Sequence, residues 1–140
     1  MIARILFALA LLFVCDTIVV AGVAADWWLT ASSVWKNQRG SFLNVKQVND
    51  DGSFSGTYIN NAPNTRCRGI PYPTTGQTFP VYPSVYFVTF TVNFTNCSTT
   101  TVWKGYMTYE HLPTDWHLVY SPPGQPPQSE DGHDKFTRIR

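Results

Sequence analysis

The sequence carries little charge and few groups able to do covalent chemistry. Its 140 residues include ten Lys and Arg against nine Asp and Glu, a net charge of +1 with no basic run. A chain with this charge balance has no basic patch in its sequence that would attract nucleic acid or an acidic membrane surface. The histidines His111, His117 and His133 are scattered, and no Ser–His–Asp set or cluster of metal ligands has matched spacing. We therefore expect no enzyme, no metal site and no cofactor.

Long hydrophobic runs and helical periodicity are also missing after the first 25 residues. Residues 1–25 combine a basic residue at Arg4 with an apolar stretch and small residues at the end, which is typical of a secretory signal peptide. Asp16 interrupts the apolar run, which falls short of the roughly 20 residues that span a membrane. We expect cleavage, a domain of residues 26–140, secretion and no membrane attachment afterwards. A retained anchor is the alternative.

Cysteine is scarce. Of the three cysteines, Cys15 falls in the predicted leader, which leaves Cys67 and Cys97 as an even pair in a secreted chain. One intramolecular disulfide, closing a loop of about 30 residues, is the leading interpretation. Two free thiols are the alternative, which an oxidising compartment disfavours.

Aromatic residues, proline and glycine are abundant. Five Trp, seven Tyr, nine Phe, ten Pro and nine Gly in so short a chain indicate many short strands joined by turns. The pattern is clearest at residues 90–105, FTVNFTNCSTTTVWKG, where two alternating runs flank a polar patch as in a β-hairpin. The residues expected to share the inward faces of its two arms are Phe90, Val92, Phe94, Thr101, Trp103, Gly105 and Met107.

Alternation and turn residues predict six further strands. They are expected around residues 35–37, 43–45, 53–60, loosely within 68–79, at 114–120 and at about 133–139. Residues 121–129, SPPGQPPQS, are expected to form an extended loop because prolines cannot donate to a ladder. Eight short antiparallel strands with tight turns predict an all-β, eight-stranded up-and-down barrel, a fold without exposed sheet edges.

Six short segments of the sequence are more specific indicators than the general strand pattern. They are residues 35–37 with 40–41, 52–58, 90–94, 100–105, 114–116 and 132–137. In this order and at nearly this spacing they resemble the avidin and streptavidin family of biotin-binding proteins. The resemblance implies a secreted, non-enzymatic protein that holds biotin with high affinity inside the barrel. A barrel of this fold that binds a different small ligand, or a secreted recognition module of another β fold, are the alternatives.

The resemblance also implies polar contacts with the ureido group of biotin. In the relatives an Asn, a Ser and a Tyr donate hydrogen bonds to the ureido oxygen, and these match Asn37, Ser41 and Tyr58. Asp134 matches the carboxylate that accepts a ureido N–H. Asn60 stands where the relatives have a smaller Ser or Thr. From its own stretch alone, Asn37 would be read as a turn residue before a glycine.

The remaining implied contacts are with the sulfur, the carboxylate and the rings of biotin. Thr101 matches the hydroxyl that meets the thioether sulfur, and Thr99 matches the one that meets the valerate carboxylate. Phe94, Trp103 and Trp116 match the aromatic walls. Taken singly, each of these residues would be ordinary barrel core or loop, and water could satisfy the polar ones.

Three departures from the family pattern concern the mouth of the barrel. Arg39 occupies a place that is apolar in the best-known relatives and is expected to point to solvent. The tryptophan that a neighbouring subunit inserts over the ligand falls here on Pro126, so that lid is missing. Cys67 and Cys97 match the disulfide of dimeric members that also lack this tryptophan. A dimer is therefore expected rather than a tetramer, with its interface on the outward face of residues 89–93.

Overall fold

The chain forms eight antiparallel strands that close into a barrel, as the sequence predicts. The computed structural model describes residues 29–140. The predicted leader, residues 1–25, lies outside the described residues, as does the beginning of the predicted mature domain. Within 29–140 no helix is long and apolar enough to cross a membrane. The strands are β1 (Val34–Asn37), β2 (Phe42–Val48), β3 (Ser53–Ile59), β4 (Pro71–Tyr82), β5 (Val85–Phe94), β6 (Thr99–Met107), β7 (His111–Tyr120) and β8 (Gln128–Arg138), with a 3-10 turn at Thr95–Cys97.

Each strand pairs with the next in sequence, and β8 returns to pair with β1. Alternation sends one face of every strand into the barrel, where large side chains fill the closed end. Trp35, Phe54, Phe90 and Phe136 are among the largest fully buried side chains. Each contributes about 1.5–3 kcal/mol through removal of apolar surface from water. This packed end supports a cavity at the other end of the barrel.

The central hairpin of β5 and β6 is confirmed. Phe90 lies opposite Trp103, and their rings stack with centroids 4.8 Å apart and planes 7° from parallel. The inward residues predicted for both arms are buried, except the half-buried Gly105. The polar patch between the arms forms the 3-10 turn, and Ser98 then adopts a left-handed conformation. This turn places Thr99 at the open end of the barrel.

The fourth strand is longer and more regular than the prolines suggested. Pro71 and Pro73 lie where β4 pairs only with β3, and Pro80 lies where it pairs only with β5, beside a bulge. Each proline therefore has a neighbouring strand on one side only, so its missing N–H need not interrupt a ladder on the other side. The prolines thus lie where β4 pairs on one side only, and β4 is nonetheless a single strand of twelve residues.

The last two strands begin earlier than predicted. The predicted loop at residues 121–129 is wrong at its end, because Gln128 and Ser129 already pair with Tyr120 and Val119. Pro127 is the last proline of this segment, so the residues after it carry the N–H groups that a ladder needs. β7 similarly begins at His111, three residues before the predicted start. Its residues 111–113 pair with β8 only, because the ladder with β6 ends at Thr114.

Candidate functional site

A cavity of about 370 Å³ occupies the open end of the barrel. Its mouth is formed by the turn between β1 and β2, the loop between β3 and β4, the turn after β5 and the loop after β7. All of the ligand-binding residues predicted from the sequence line it, namely Asn37, Ser41, Tyr58, Asn60, Phe94, Thr99, Thr101, Trp103, Trp116 and Asp134. A volume of this size is typical of a small-molecule site.

Asn37 is both a turn residue and a cavity residue. Its side-chain oxygen accepts hydrogen bonds from the backbone N–H groups of Arg39 (3.0 Å) and Ser41 (2.8 Å). Gly40 completes this turn with a φ of 84°, a left-handed conformation that glycine adopts without strain. Asn37 is therefore a turn residue that also lines the cavity, because fixing the amide oxygen in the turn also fixes the amide nitrogen at the cavity wall.

Ser41 and Asn60 connect two segments of the cavity mouth, the turn between β1 and β2 and the loop between β3 and β4. The Ser41 hydroxyl donates to the Asn60 side-chain oxygen (3.3 Å) and accepts from the backbone N–H of Asn61 (2.9 Å). Asn60 also accepts from the backbone N–H of Ala62 (3.0 Å) and donates to the Thr65 hydroxyl (3.1 Å). The amide side chain of Asn60 thus organises the loop between β3 and β4, which a shorter Ser or Thr would reach less well.

Tyr58 stands at the centre of the aromatic packing around the cavity. Its ring centroid lies 4.8 Å from that of Trp103 and 6.0 Å from that of Phe94. Burial raises the pKa of the Tyr58 hydroxyl well above its usual range, with hydrogen bonding to Ser41 and Asn37 offsetting part of the effect. The hydroxyl therefore stays protonated at physiological pH and can donate a hydrogen bond.

Asp134 supplies a buried carboxylate that lines the cavity together with these residues. Its Oδ2 accepts from Trp103 Nε1 (2.9 Å), and its Oδ1 accepts from Gln38 Nε2 (3.1 Å). Burial raises the pKa of Asp134, while the Trp103 hydrogen bond and the Arg39 charge lower it in part. Asn37 is a third neutral hydrogen-bonding neighbour of Asp134. An ionised carboxylate has about four acceptor positions, so these neighbours leave room for a ligand N–H.

Arg39 departs from the prediction that its head points to solvent. Its Nε lies 3.7 Å from Asp134 Oδ1, and its guanidinium carbon lies 5.7 Å from the centre of the Trp116 ring. The side chain keeps 45% of its surface exposed. A carboxylate and an aromatic face both attract a guanidinium, and together they hold it at the mouth of the cavity.

The apolar walls include residues that the sequence analysis did not assign. Phe94 and Trp103 are buried and Trp116 is half-buried. Leu118 and Tyr120 line the same side as Trp116, with which they share the inward face of β7. Alternation along β7 puts them on the same face as Trp116, so that pattern could have assigned them to the cavity. No local sequence pattern, by contrast, marks Gln38 as a site residue, because Gln38 lies at an exposed position and reaches Asp134 through its side chain.

The predicted disulfide is confirmed. Cys67 in the loop after β3 is bonded to Cys97 in the 3-10 turn, and Cys97 lines the cavity. The Tyr72 hydroxyl donates to Cys67 Sγ (3.1 Å), and the Thr99 hydroxyl donates to the Cys97 carbonyl oxygen (3.0 Å). The bond therefore ties together two of the segments that form the mouth. In the loop after β7, Pro122 lines the cavity and Pro126 does not.

Comparisons with known proteins agree with this architecture. The Avidin family model matches residues 28–139. Hoefavidin of Hoeflea phototrophica is 34% identical over 121 residues, covering 77% of this chain and 71% of that protein. Afifavidin of Afifella pfennigii is 34% identical over 116 residues, covering 77% of this chain and 69% of that protein.

Solved structures are similar in both sequence and fold. A bradavidin2–biotin complex is 38% identical with a TM-score of 0.71, covering 80% of this chain and all of that one. A rhizavidin–biotin complex is 36% identical with a TM-score of 0.69, covering 79% of this chain and 93% of that one. With a family model that spans the whole described barrel and a cavity built from the residues that the family resemblance singles out, this chain belongs to the avidin family.

Proposed function

We propose that the protein is a biotin-binding protein and not an enzyme, and that it holds biotin non-covalently in the barrel cavity. The observation that carries the proposal is the convergence of Asn37, Ser41 and Tyr58 with the buried carboxylate of Asp134 at one cavity wall. A ureido group has a strong acceptor oxygen flanked by N–H donors. Three buried side chains able to donate and one buried anionic acceptor match that pattern.

The rest of the cavity suits the remainder of biotin. Phe94, Trp103 and Trp116 offer apolar walls for the fused rings. Thr101, 3% exposed, presents a hydroxyl among those walls, where we place the thioether sulfur. Thr99 lies at the mouth beside the disulfide, where we place the valerate carboxylate. Polar groups buried in such walls are costly without a partner, which favours a ligand with polar atoms at matching positions.

We propose tight binding because the site is ordered by bonds within the chain. The Asn37 turn, the Asn60 bonds and the Cys67–Cys97 disulfide hold the mouth segments together. A ligand then meets little of the entropy cost of ordering them. This order takes the place of the aromatic lid that the loop after β7 does not supply.

We further propose that the protein is secreted and that it dimerises through the outer face of β5 and β6. The disulfide supports an oxidising compartment. Phe87, Val102 and Tyr106 are exposed on the outer face, and the cross-strand neighbours Phe87 and Tyr106 extend the predicted interface at residues 89–93. Apolar side chains in such a group favour a protein partner over water. Light scattering of the purified protein tests the dimer, and replacement of Phe87 by Glu is expected to yield monomers.

Thermal unfolding with and without biotin tests the function. A ligand that binds only the folded state at nanomolar Kd and about 100 μM concentration adds roughly 7 kcal/mol of stability, so the transition must move far upward. If biotin does not move the unfolding transition, the avidin-like fold still stands but the ligand must be a different small molecule.

A matched pair of tyrosine variants tests the site. Tyr58→Phe removes the hydroxyl at the cavity wall and is expected to weaken biotin binding about 10- to 100-fold, since a hydrogen bond to a polarised group contributes roughly 1.5–3 kcal/mol. Tyr72→Phe removes a hydroxyl that, among the described residues, donates to the disulfide sulfur, and Tyr72 is not among the residues that line the cavity. Its biotin affinity is expected to match that of the unmodified protein, and equal losses in both variants would contradict the assignment of Tyr58.

A further inference from the structure

We propose that Arg39 is a positioning residue that keeps the Asp134 carboxylate ionised and directed at ligand N–H groups, and so makes the site selective for ligands that donate there. The inference rests on the proposed function, because the ligand N–H is that of the biotin ureido group. It concerns the cation at the cavity mouth that forms an ion pair with Asp134. Three contacts support it.

The first is the contact with Asp134 itself. The Asp134 side chain is 4% exposed, and the side chains that hydrogen-bond to it, Trp103, Gln38 and Asn37, are uncharged. Neutral donors compensate a buried anion only in part. The Arg39 guanidinium, 3.7 Å from Asp134 Oδ1, carries a charge that it does not lose at any physiological pH.

The second is the way in which Arg39 is held. Its backbone N–H donates to Asn37 Oδ1, which fixes the start of the side chain. Its guanidinium lies over the Trp116 ring at 5.7 Å. The cation is thereby held between a wall of the cavity and the carboxylate. Half of it faces solvent, so its effect on Asp134 is screened but not removed.

The third is Gln38, which keeps Asp134 in place beside that charge. Gln38 Nε2 donates to both Asp134 Oδ1 and the His133 carbonyl oxygen, each at 3.1 Å. Gln38 Oε1 accepts from the backbone N–H of Lys135 at 2.8 Å. The adjacent residues Gln38 and Arg39 therefore clamp the turn between β1 and β2 to the strand that carries Asp134.

No other charge among the described residues makes an ion pair with Asp134. From β3, the Tyr58 hydroxyl faces it in protonated form. From β6, Trp103 donates a neutral hydrogen bond, and from β7 the Thr114 hydroxyl donates to the Asp134 backbone oxygen. The neighbours on β8, His133 and Lys135, are exposed on the outer face, where His133 pairs with Asp115. Arg39 is therefore the charged group whose removal should change the titration of Asp134, beside the neutral hydrogen bonds that also lower its pKa.

The ligand-free protein provides the first test. The 13C carboxyl resonance of Asp134 is followed against pH in the unmodified protein, in Arg39→Gln, in Arg39→Lys and in Arg66→Gln. Arg39→Gln is expected to move the Asp134 midpoint to higher pH, and Arg39→Lys to keep it close to the unmodified value. Arg66→Gln removes another cation that lines the cavity without an ion pair to Asp134, and is expected to leave the midpoint unchanged.

Biotin affinity against pH provides the second test. Loss of the carboxylate charge on acidification weakens a contact with a ligand N–H, so the acid side of the affinity profile should move to higher pH in Arg39→Gln. Between about pH 8 and pH 5 we expect that variant to lose about two- to fivefold more affinity than the unmodified protein, the range set by a partly exposed ion pair.

The outcomes separate the inference from the proposed function. An unchanged Asp134 midpoint in Arg39→Gln, or an equal change in Arg66→Gln, would overturn the inference even if biotin binds tightly. A raised midpoint in a protein that does not bind biotin would keep the positioning role of Arg39 and refute biotin as the ligand. A raised midpoint together with a displaced affinity profile supports both.

Discussion

Gly132 on β8 lies directly opposite Trp116 on β7, and a Cβ built on Gly132 would lie 2.2 Å from Cζ2 of the Trp116 ring. The missing side chain therefore makes room for one aromatic wall of the cavity. It also sets the surface over which the Arg39 guanidinium lies. The absence of a side chain at Gly132 thus makes room for a cavity wall, Trp116, and this wall in turn helps to hold the Arg39 charge at the cavity mouth.

Gly132→Ala tests this contact. The added methyl must displace the Trp116 ring, which we expect to destabilise the barrel by about 1–3 kcal/mol, as overpacking does, and to weaken biotin binding. The free energy of unfolding and the biotin Kd are the measurements. In a Trp116→Phe background the smaller ring leaves space for the methyl, so Gly132→Ala should cost much less stability there. Equal costs in both backgrounds would show that the ring contact is not the cause.

Asp134→Asn should stabilise the ligand-free barrel at neutral pH while weakening biotin binding. Burial raises the pKa of Asp134 in the folded state, so the folded protein binds this proton more tightly than the unfolded chain. The ionised carboxylate therefore costs stability at neutral pH, and that cost disappears as the pH falls through the raised pKa. The difference in Tm between Asp134→Asn and the unmodified protein should accordingly be positive at neutral pH and shrink on acidification.

Asp50→Asn is the matched control for that measurement, because Asp50 is an exposed carboxylate in the turn after β2. It should show no comparable gain in Tm at any pH. A loss of stability in ligand-free Asp134→Asn at neutral pH would contradict the assigned cost of burying this charge.

Replacement of both disulfide cysteines should affect stability and ligand retention together. Cys67→Ser with Cys97→Ser opens a closed loop of about 30 residues, which removes roughly 3 kcal/mol of stability. The two mouth segments then lose their covalent link, so biotin should also dissociate faster. Thermal unfolding and a competitive dissociation assay measure the two effects. An unchanged dissociation rate in a destabilised variant would restrict the disulfide to a structural role.

The alkaline side of the affinity profile should be flat. Because burial raises the pKa of Tyr58 far above the usual tyrosine value, its hydroxyl remains a donor between about pH 8 and pH 10. Ionisation of Tyr58 should therefore not change the biotin Kd over that range. A loss of affinity that begins near pH 9 and is absent in Tyr58→Phe would mean that the hydroxyl titrates far more easily than its buried position implies.

Much of this architecture follows from local pattern. Alternation along the hairpin of β5 and β6 placed Phe90, Phe94 and Trp103 inside the barrel, because side chains of a strand point to opposite faces in turn. The scarcity of cysteine left one intramolecular pair, Cys67 and Cys97, and the structure contains it. The family resemblance supplied the residues of the cavity, and all of them line it.

The contacts around Asp134 were decided by closure of the barrel. Gln38 and Asp134 are 96 residues apart in sequence, and only the pairing of β1 with β8 brings them together. The same closure brings Arg39, which stays partly exposed to solvent, beside a carboxylate and an aromatic ring. Sequence periodicity determines which face of a strand a residue occupies, since that depends on backbone geometry within a few residues. Which distant side chain it meets depends on the register of the last strand against the first, and that is a property of the closed barrel alone.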